Sequence, residues 1–284
     1  MSASVHEQIA AARHALERAG FRQEDAALDA EVLARDVLGW DRARLLTDGR
    51  EAASADFIER FRAVVGRRLN REPVALITGH REFWELDFIV TSATLVPRPE
   101  TELIVEEALR TIPVTAAPTI VDIGTGTGCL AVSLATERPA ARVVATDVSW
   151  DALLVARRNA VRHGVSRRVH FVLADLAFGL SIRADLIVSN PPYVRDEAAA
   201  LIDKDVVRYE PHTALFGGPD GLREIRRLFE STPAILAPGG RFILEFGFGQ
   251  EDEVRAAAEA AGWRVENVLH DLQGIARTMV LVRR

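Results

Sequence analysis

Asn190-Pro191-Pro192-Tyr193 follows the apolar run Leu186-Ile187-Val188-Ser189, and residues of these types in this order suit methylation of a planar amino group. The lone pair of an amide or ring NH2 is delocalised into the attached carbonyl or ring, which makes the nitrogen a weak nucleophile. A site that works on it must hold both N–H bonds in acceptors while the methyl donor waits opposite the lone pair. The Asn190 side-chain carbonyl and the Pro191 main-chain carbonyl can supply those acceptors. Pro191 and Pro192 fix their own φ and push the preceding residues toward extended geometry, so the carbonyls are aimed in advance. Tyr193 would offer a flat face to the planar group. A Pro-Pro turn closing a strand, with Asn as an ordinary turn residue, accounts for the tetrapeptide equally well. The chemical reading therefore needs a donor site upstream.

Thr119-Ile120-Val121-Asp122-Ile123 has the pattern of a short buried strand, Gly124-Thr125-Gly126-Thr127-Gly128 that of a tight turn, and Cys129 to Ala135 that of a helix. Glycines at alternate positions let the backbone approach a ligand without Cβ interference. A second strand, Arg142 to Thr146, ends in Asp147, about twenty residues past the loop, where nucleotide-binding α/β units place the acid that bonds ribose hydroxyls. A dinucleotide fingerprint wants a glycine where Cys129 stands, so S-adenosylmethionine fits this loop better than NAD. Asp175 closes the next strand, Val169 to Leu173, and falls near the adenine by the same geometry. A solvated turn acid fits that position equally.

Positioning such residues requires alternating strands and helices, and from Thr119 onward the chain alternates as a doubly wound sheet requires. Beyond Tyr193 the pattern predicts a helix from about Asp220 to Leu236, a strand Arg241 to Glu245, a helix Glu251 to Ala261 and two final strands. The region before residue 80 is helical throughout. Val5, Ile9, Ala12 and Leu16 share a face, Leu28, Val32, Leu33, Val37 and Leu38 precede Gly39, and Ser54 can cap a helix with Phe57, Phe61 and Val65 on its apolar side. Phe83 to Val90 suggests a short hairpin or extended connector, and Leu95 to Glu102 stops it before a helix over Leu103 to Leu109. The expected organisation is a helical substrate-recognition domain over 1–80, a hairpin and linker over 81–103, and a catalytic α/β domain over 104–284.

A net charge of −6 opposes broad nucleic-acid binding through phosphates. Arg67-Arg68 with Arg71, and Arg167-Arg168 near Arg162, are candidates for local contact with a nucleic-acid-rich partner, with a solvated helix face as the alternative. The single cysteine, Cys129, excludes an intramolecular disulfide and reads as packing. The histidines form no close pair at ligand spacing and no Cys cluster exists, so no metal is expected. The N-terminus lacks a basic region followed by an apolar core, and no run approaches the length of a membrane span, so a cytoplasmic location is expected.

Four further blocks accompany the glycine loop and Asn190-Pro191-Pro192-Tyr193. They are Arg71 to Gly79 followed by Glu82-Phe83-Trp84; Val96 to Glu102; Tyr209-Glu210-Pro211 with Ala214-Leu215 and Gly217-Gly218; and Gly239-Gly240 through Leu244-Glu245. In this order they resemble the HemK-type (PrmC) release-factor glutamine methyltransferase family, from about residue 25 to the C-terminus. The resemblance implies a Rossmann-like class I S-adenosylmethionine-dependent methyltransferase sheet with a small N-terminal helical bundle. It also implies methyl transfer to the N5 amide nitrogen of the glutamine in the Gly-Gly-Gln motif of class 1 peptide chain release factors. Position by position, the donor site falls on Gly124, Thr125, Gly126, Thr127, Gly128, Asp147 and Asn190, with Asp175 and Leu176 at the adenine. The glutamine site falls on Asn190, Pro191, Pro192 and Tyr193. Some members carry Trp where Leu176 stands, and Leu176 offers less stacking area. Direct displacement needs no general base; Glu210 and Glu245 are candidates either to assist or to orient loops. Other readings are a glutamine methyltransferase acting on a ribosomal large-subunit protein and a DNA adenine N6-methyltransferase. The latter would need base extraction and a basic duplex surface. A nucleotide-binding module without catalysis would keep the loop but should lose the Asn-Pro-Pro-Tyr site.

Overall fold

The computed structural model describes residues 3–200 and 204–284. The chain forms two compact units: one ends at Gly79 and takes in Lys204–Tyr209, and the other begins at His80.

The first unit contains α1 (Val5–Arg18), α2 (Gln23–Leu38), α3 (Arg42–Asp48), α4 (Ala55–Leu69) and α5 (Val74–Thr78). Ser4 opens α1 with a reciprocal cap, its hydroxyl accepting from Glu7 N at 3.2 Å while the Glu7 carboxylate accepts from Ser4 N at 2.7 Å. Ser54 caps α4 by accepting from Phe57 N at 3.1 Å. Leu16, Leu33, Phe57 and Phe61 fill the interior, with the two phenyl rings stacked 5.1 Å apart. The arginines at the end of α4 are paired and do not form a free basic patch, which corrects that expectation, while the solvated-face reading holds for exposed Arg67 and fails for Arg68. Arg68 is nearly buried between Asp29 at 2.7 Å and Asp205 at 2.6 Å, Arg67 pairs with Glu72, and Arg71 donates to the Ala19 carbonyl at 2.7 Å.

In the second unit a hairpin of β1 (His80–Phe83) and β2 (Leu86–Ile89) precedes α6 (Glu102–Thr111). Then come β3 (Thr119–Ile123), α7 (Cys129–Glu137), β4 (Arg142–Asp147), α8 (Trp150–Arg162), β5 (Val169–Leu173) and β6 (Ala184–Ser189). The chain passes through α9 (Lys204–Tyr209) and α10 (His212–Leu215) to α11 (Arg223–Ser231), β7 (Leu236–Glu245), α12 (Glu251–Ala260), β8 (Trp263–His270) and β9 (Ala276–Arg283). Among the described residues the strands form a seven-stranded sheet in the order β5-β4-β3-β6-β7-β9-β8. Pairs from β5 to β7 are parallel, and β9 runs antiparallel to β7 and β8.

Alternate residues of the central strands enter different cores. Ile120, Val143, Leu186 and Ile243 face one layer with the hairpin, α6 and α7, while Val121, Val144, Ile187 and Phe242 face the other with α11 and α12. Burial on both faces is why these strands read as continuous apolar runs. Trp263 is fully buried against Phe229 and Phe242 in the second layer.

Candidate active site

Strand order reverses at β3, with β4 and β5 to one side and β6 to the other, so a crevice opens at the carboxyl ends of β3 and β6. Register determines what meets there. Ile123 pairs with both Thr146 and Ser189, which sets Gly124, Asp147 and Asn190 side by side although they are far apart in the chain. The Ser189 hydroxyl fastens the junction by donating to the Ile123 carbonyl at 2.8 Å.

A cavity of about 450 Å³ lies over these strand ends. Of the residues singled out from the sequence, Gly124, Thr125, Gly126, Thr127, Asp147, Asp175, Leu176, Asn190, Pro191 and Pro192 line it, while Gly128 and Tyr193 do not. Gly128 sits at φ +80°, and a Cβ there would come within 3.0 Å of the Ala156 Cβ, so its role is close packing of the loop on α8. Gly124 and Gly126 hold φ of +73° and +54° with open space where a Cβ would stand.

The glycine loop is pinned by three groups, two distant in sequence, Asp147 and Asn159, and one local, Asp122. Asp147 accepts from Gly126 N and from Ser149 N, each at 2.9 Å, and burial raises its carboxyl above the usual range. Buried Asn159 on α8 donates to the Thr127 carbonyl at 2.9 Å and pairs with both the N–H and the carbonyl of Ile89. From beneath, Asp122 accepts from the Thr125 hydroxyl at 2.6 Å and from Ala131 N at 3.2 Å, leaving its Oδ1 buried without a partner among the described residues. Burial pushes this carboxyl up to about 7. On the same side burial pushes the Cys129 thiol up to about 12, which makes it a packing group rather than a nucleophile.

Asp175 and Leu176 lie at the rim. Asp175 is half-exposed and pairs with Arg227 at 2.5 Å, which also holds Glu224 at 2.7 Å. Leu176 adopts φ +53°, a left-handed conformation costly for a branched side chain, and the Thr146 hydroxyl holds its carbonyl at 3.1 Å.

The Asn-Pro-Pro-Tyr segment has its own scaffold. Asn190 Nδ2 donates to the Thr101 hydroxyl at 2.9 Å; that hydroxyl donates to Glu245 at 2.7 Å; and the Tyr193 phenol donates to the other Glu245 oxygen at 3.0 Å. Glu245 is buried at the end of β7, and desolvation raises its carboxyl to about 7. Burial, with Glu245 beside it, holds the Tyr193 phenol well above its ordinary range. Gln250 donates to the Tyr193 carbonyl at 3.0 Å, and Gly217 lets the following loop close in, since a Cβ there would meet the Pro192 carbonyl at 2.6 Å. Among the described residues no donor occupies the Asn190 side-chain oxygen or the Pro191 carbonyl. Glu210 locks the opposite wall, accepting from Val96 N at 3.0 Å and Arg98 at 2.6 Å.

Sequence reading missed the parts played by Thr101, Asp122, Asn159 and Gln250. Thr101, Asn159 and Gln250 reach partners brought near by topology, so no local pattern marks those contacts, whereas Asp122 bonds within its own strand-loop-helix turn and reads from the sequence only as a strand residue. Among the described residues no cluster of at least three His, Cys, Asp or Glu could hold a metal, and no helix is long and apolar enough to cross a membrane.

Residues 7–79 match the family described as the PrmC N-terminal domain, and residues 101–209 match the methyltransferase small domain. The chain is 44% identical over 253 residues to a release factor glutamine methyltransferase of Cereibacter sphaeroides, covering 88% of this chain and 89% of that one. A release factor glutamine methyltransferase of Xylella fastidiosa is 43% identical over 257 residues, covering 90% of this chain and 92% of its own length. A solved methyltransferase from Pyrococcus furiosus shares the fold at a TM-score of 0.53 and 19% identity, over 76% of this chain and 95% of that chain.

Proposed function

The chain belongs to the release factor glutamine methyltransferase family, and we propose that it methylates the N5 amide nitrogen of the glutamine in the Gly-Gly-Gln motif of class 1 peptide chain release factors, using S-adenosyl-L-methionine. One observation carries the reading. The Asn190 side-chain oxygen and the Pro191 carbonyl, two acceptors without intramolecular donors among the described residues, belong to residues that line the same cavity as the glycine loop.

The cavity fits the donor. Gly124 and Gly126 have no side chain and open space at the Cβ position, so their backbone can lie along the methionine portion. α7 begins just beyond, and its N-terminal dipole favours a carboxylate there. Asp147 keeps lone pairs for ribose hydroxyls, and Leu176 offers an apolar wall for the adenine beside Asp175. When bound, S-adenosylmethionine supplies an activated methyl group, so the chain's own task is orientation and desolvation. Asn190 and Pro191 hold the amide protons and turn the nitrogen lone pair toward the donor side. Buried Pro191 keeps water from the acceptors, Pro192 stiffens the turn, and Tyr193 anchors it through Glu245. The helical region over residues 1–80 recognises the protein substrate in this reading, and such a substrate places the reaction in the cytoplasm.

The test is peptide mass spectrometry after incubating the chain and S-adenosylmethionine with an intact release factor, ribosomal large-subunit proteins and DNA in parallel. One added methyl on the Gly-Gly-Gln glutamine is expected. Methylation confined to a ribosomal protein or to DNA would replace the reading.

A further inference from the structure

We propose that Thr101 and Glu245 are positioning residues that lock the Asn190 amide with its oxygen toward the substrate. The inference rests on the proposed glutamine-methylating reading of the site. A carboxamide has two ends of nearly the same shape and opposite hydrogen-bonding character, so a flip would exchange acceptor for donor. Packing alone cannot choose between them. A site that must accept an N–H from substrate needs something that distinguishes the oxygen of Asn190 from its nitrogen.

The Thr101–Glu245 pair makes that distinction. A hydroxyl has one proton, and Thr101 gives it to Glu245 at 2.7 Å. An ionised carboxylate accepts only, so the proton has no competing use. What the Thr101 oxygen can still offer Asn190 is a lone pair, which receives the Asn190 NH2 at 2.9 Å. The flipped amide would set a carbonyl oxygen against that lone pair with no proton between them. Thr101 and Glu245 are 2% and 1% exposed, so water cannot mend the mismatch.

Placement supports the assignment. Ser189 pairs with Leu244, so the parallel register of β6 and β7 sets Glu245 beside Asn190, and Thr101 arrives from the turn that starts α6. The second Glu245 oxygen accepts from Tyr193 at 3.0 Å, so one carboxylate restrains both ends of the Asn-Pro-Pro-Tyr segment. A buried carboxylate is a costly way to hold two hydroxyls, and an apolar pair would pack the same space. Direction is what the carboxylate adds.

The experiment compares Thr101→Val, Thr101→Ser and Glu245→Gln in the full chain. Val keeps the shape but has neither proton nor lone pair, and Gln brings an NH2 that can point at Thr101 and free its proton toward Asn190. Both are expected to lower kcat for release-factor methylation by about 10- to 100-fold, with KM and S-adenosylmethionine affinity changed by no more than about threefold. Thr101→Ser should recover to within about threefold of the parent. A second arm needs no turnover. Side-chain amide NMR of Asn190, its signals identified by their loss in Asn190→Ala, should show slow proton exchange in the parent and fast exchange in Thr101→Val. Parent-like kcat, or an effect confined to KM, overturns the inference, as does unchanged exchange in Thr101→Val. Should the parent fail to methylate a release factor, the function reading falls, and the NMR arm still decides the orientation. If one variant does not fold, the other carries both arms.

Discussion

In the proposed reading Asn190 must accept where an asparagine could as easily donate, and the Thr101 hydroxyl that receives its NH2 leaves its oxygen for that task. Asn190→Ala removes the acceptor and the contact to Thr101, while Asn190→Asp keeps the size and adds charge. Both should lower kcat by about 10²-fold or more, with a smaller effect of Asn190→Ala on donor affinity. Near-normal methylation by Asn190→Ala, read by peptide mass spectrometry, would reduce the residue to a turn former. Two buried acids near the site add a pH dependence of stability. Burial raises Asp122 from 3.8 and Glu245 from 4.5, each to about 7. Between those limits the unfolded chain has released both protons while the folded chain keeps them, so rising pH favours the unfolded state. Stability should fall from about pH 4 to about 7 and then level, and Asp122→Asn should flatten the slope in thermal melts taken across that range. A slope unchanged in Asp122→Asn would remove Asp122 as its source. Activity should move oppositely, because Glu245 must be ionised to take the Thr101 proton. Tyr193, Thr101, Glu100 and Arg277 surround that carboxylate, and Glu100 pushes it up while Arg277 pulls it down. The strand, glycine-loop and acid order was legible because each piece is local. The hydrogen-bond relay from Asn190 to Glu245 was not, because its members lie far apart in sequence.

At the scale of elements, burial on both sheet faces made β3, β4 and β6 readable, and capping made α4 readable. Departures have local causes. The helix expected from Asp220 to Leu236 is cut at both ends. Gly221 sits at φ +76°, and Asp220 accepts from Leu222 N at 3.0 Å, so α11 starts at Arg223. Pro233 lacks the N–H that would continue it, and a 3-10 turn spans Thr232–Ala234. Phe83 to Val90 left a hairpin and a connector equally open because its turn has no glycine or asparagine. Trp84 and Glu85 occupy φ +51° and +56°, the combination of a tight two-residue turn. The turn is held from outside: Glu102 accepts from Trp84 N at 2.9 Å and Glu137 from the indole N–H at 2.9 Å. Glu85 is exposed and bears left-handed strain worth about 1–2 kcal/mol, against about 0.5–1 kcal/mol of extra chain entropy for glycine. Glu85→Gly should therefore raise stability by roughly 0.5–1 kcal/mol, read as a higher denaturant midpoint at constant slope. A lower midpoint would mean that the turn is not strained there.

For the whole molecule, the division read near residue 80 omitted a return of the chain. Lys204–Tyr209 clusters with the helical unit although its sequence lies deep in the sheet unit. Arg68 makes the link, since Asp29 comes from α2 and Asp205 from α9. Desolvation raises the Asp29 carboxyl despite the arginine beside it, a sign of how much the pair depends on its counter-ion. Sequence alone saw in Arg68 a solvated or phosphate-seeking charge, because the acids that claim it are 39 and 137 residues away. Removing it leaves two acids facing each other, and breaking a largely buried pair costs about 3–5 kcal/mol, with the low end fitting side chains that keep some solvent. Arg68→Ala should therefore loosen the helical unit and raise hydrogen exchange in Lys204–Tyr209. Every residue lining the cavity proposed for the donor belongs to the sheet unit, so S-adenosylmethionine affinity measured by calorimetry should change by no more than about twofold. If the helical unit recognises the protein substrate, methylation should decline through a raised KM for the release factor while kcat at saturation persists. An equal loss of donor affinity would show that the two units share one stability, and unchanged KM in a demonstrably loosened unit would move substrate recognition elsewhere on the chain.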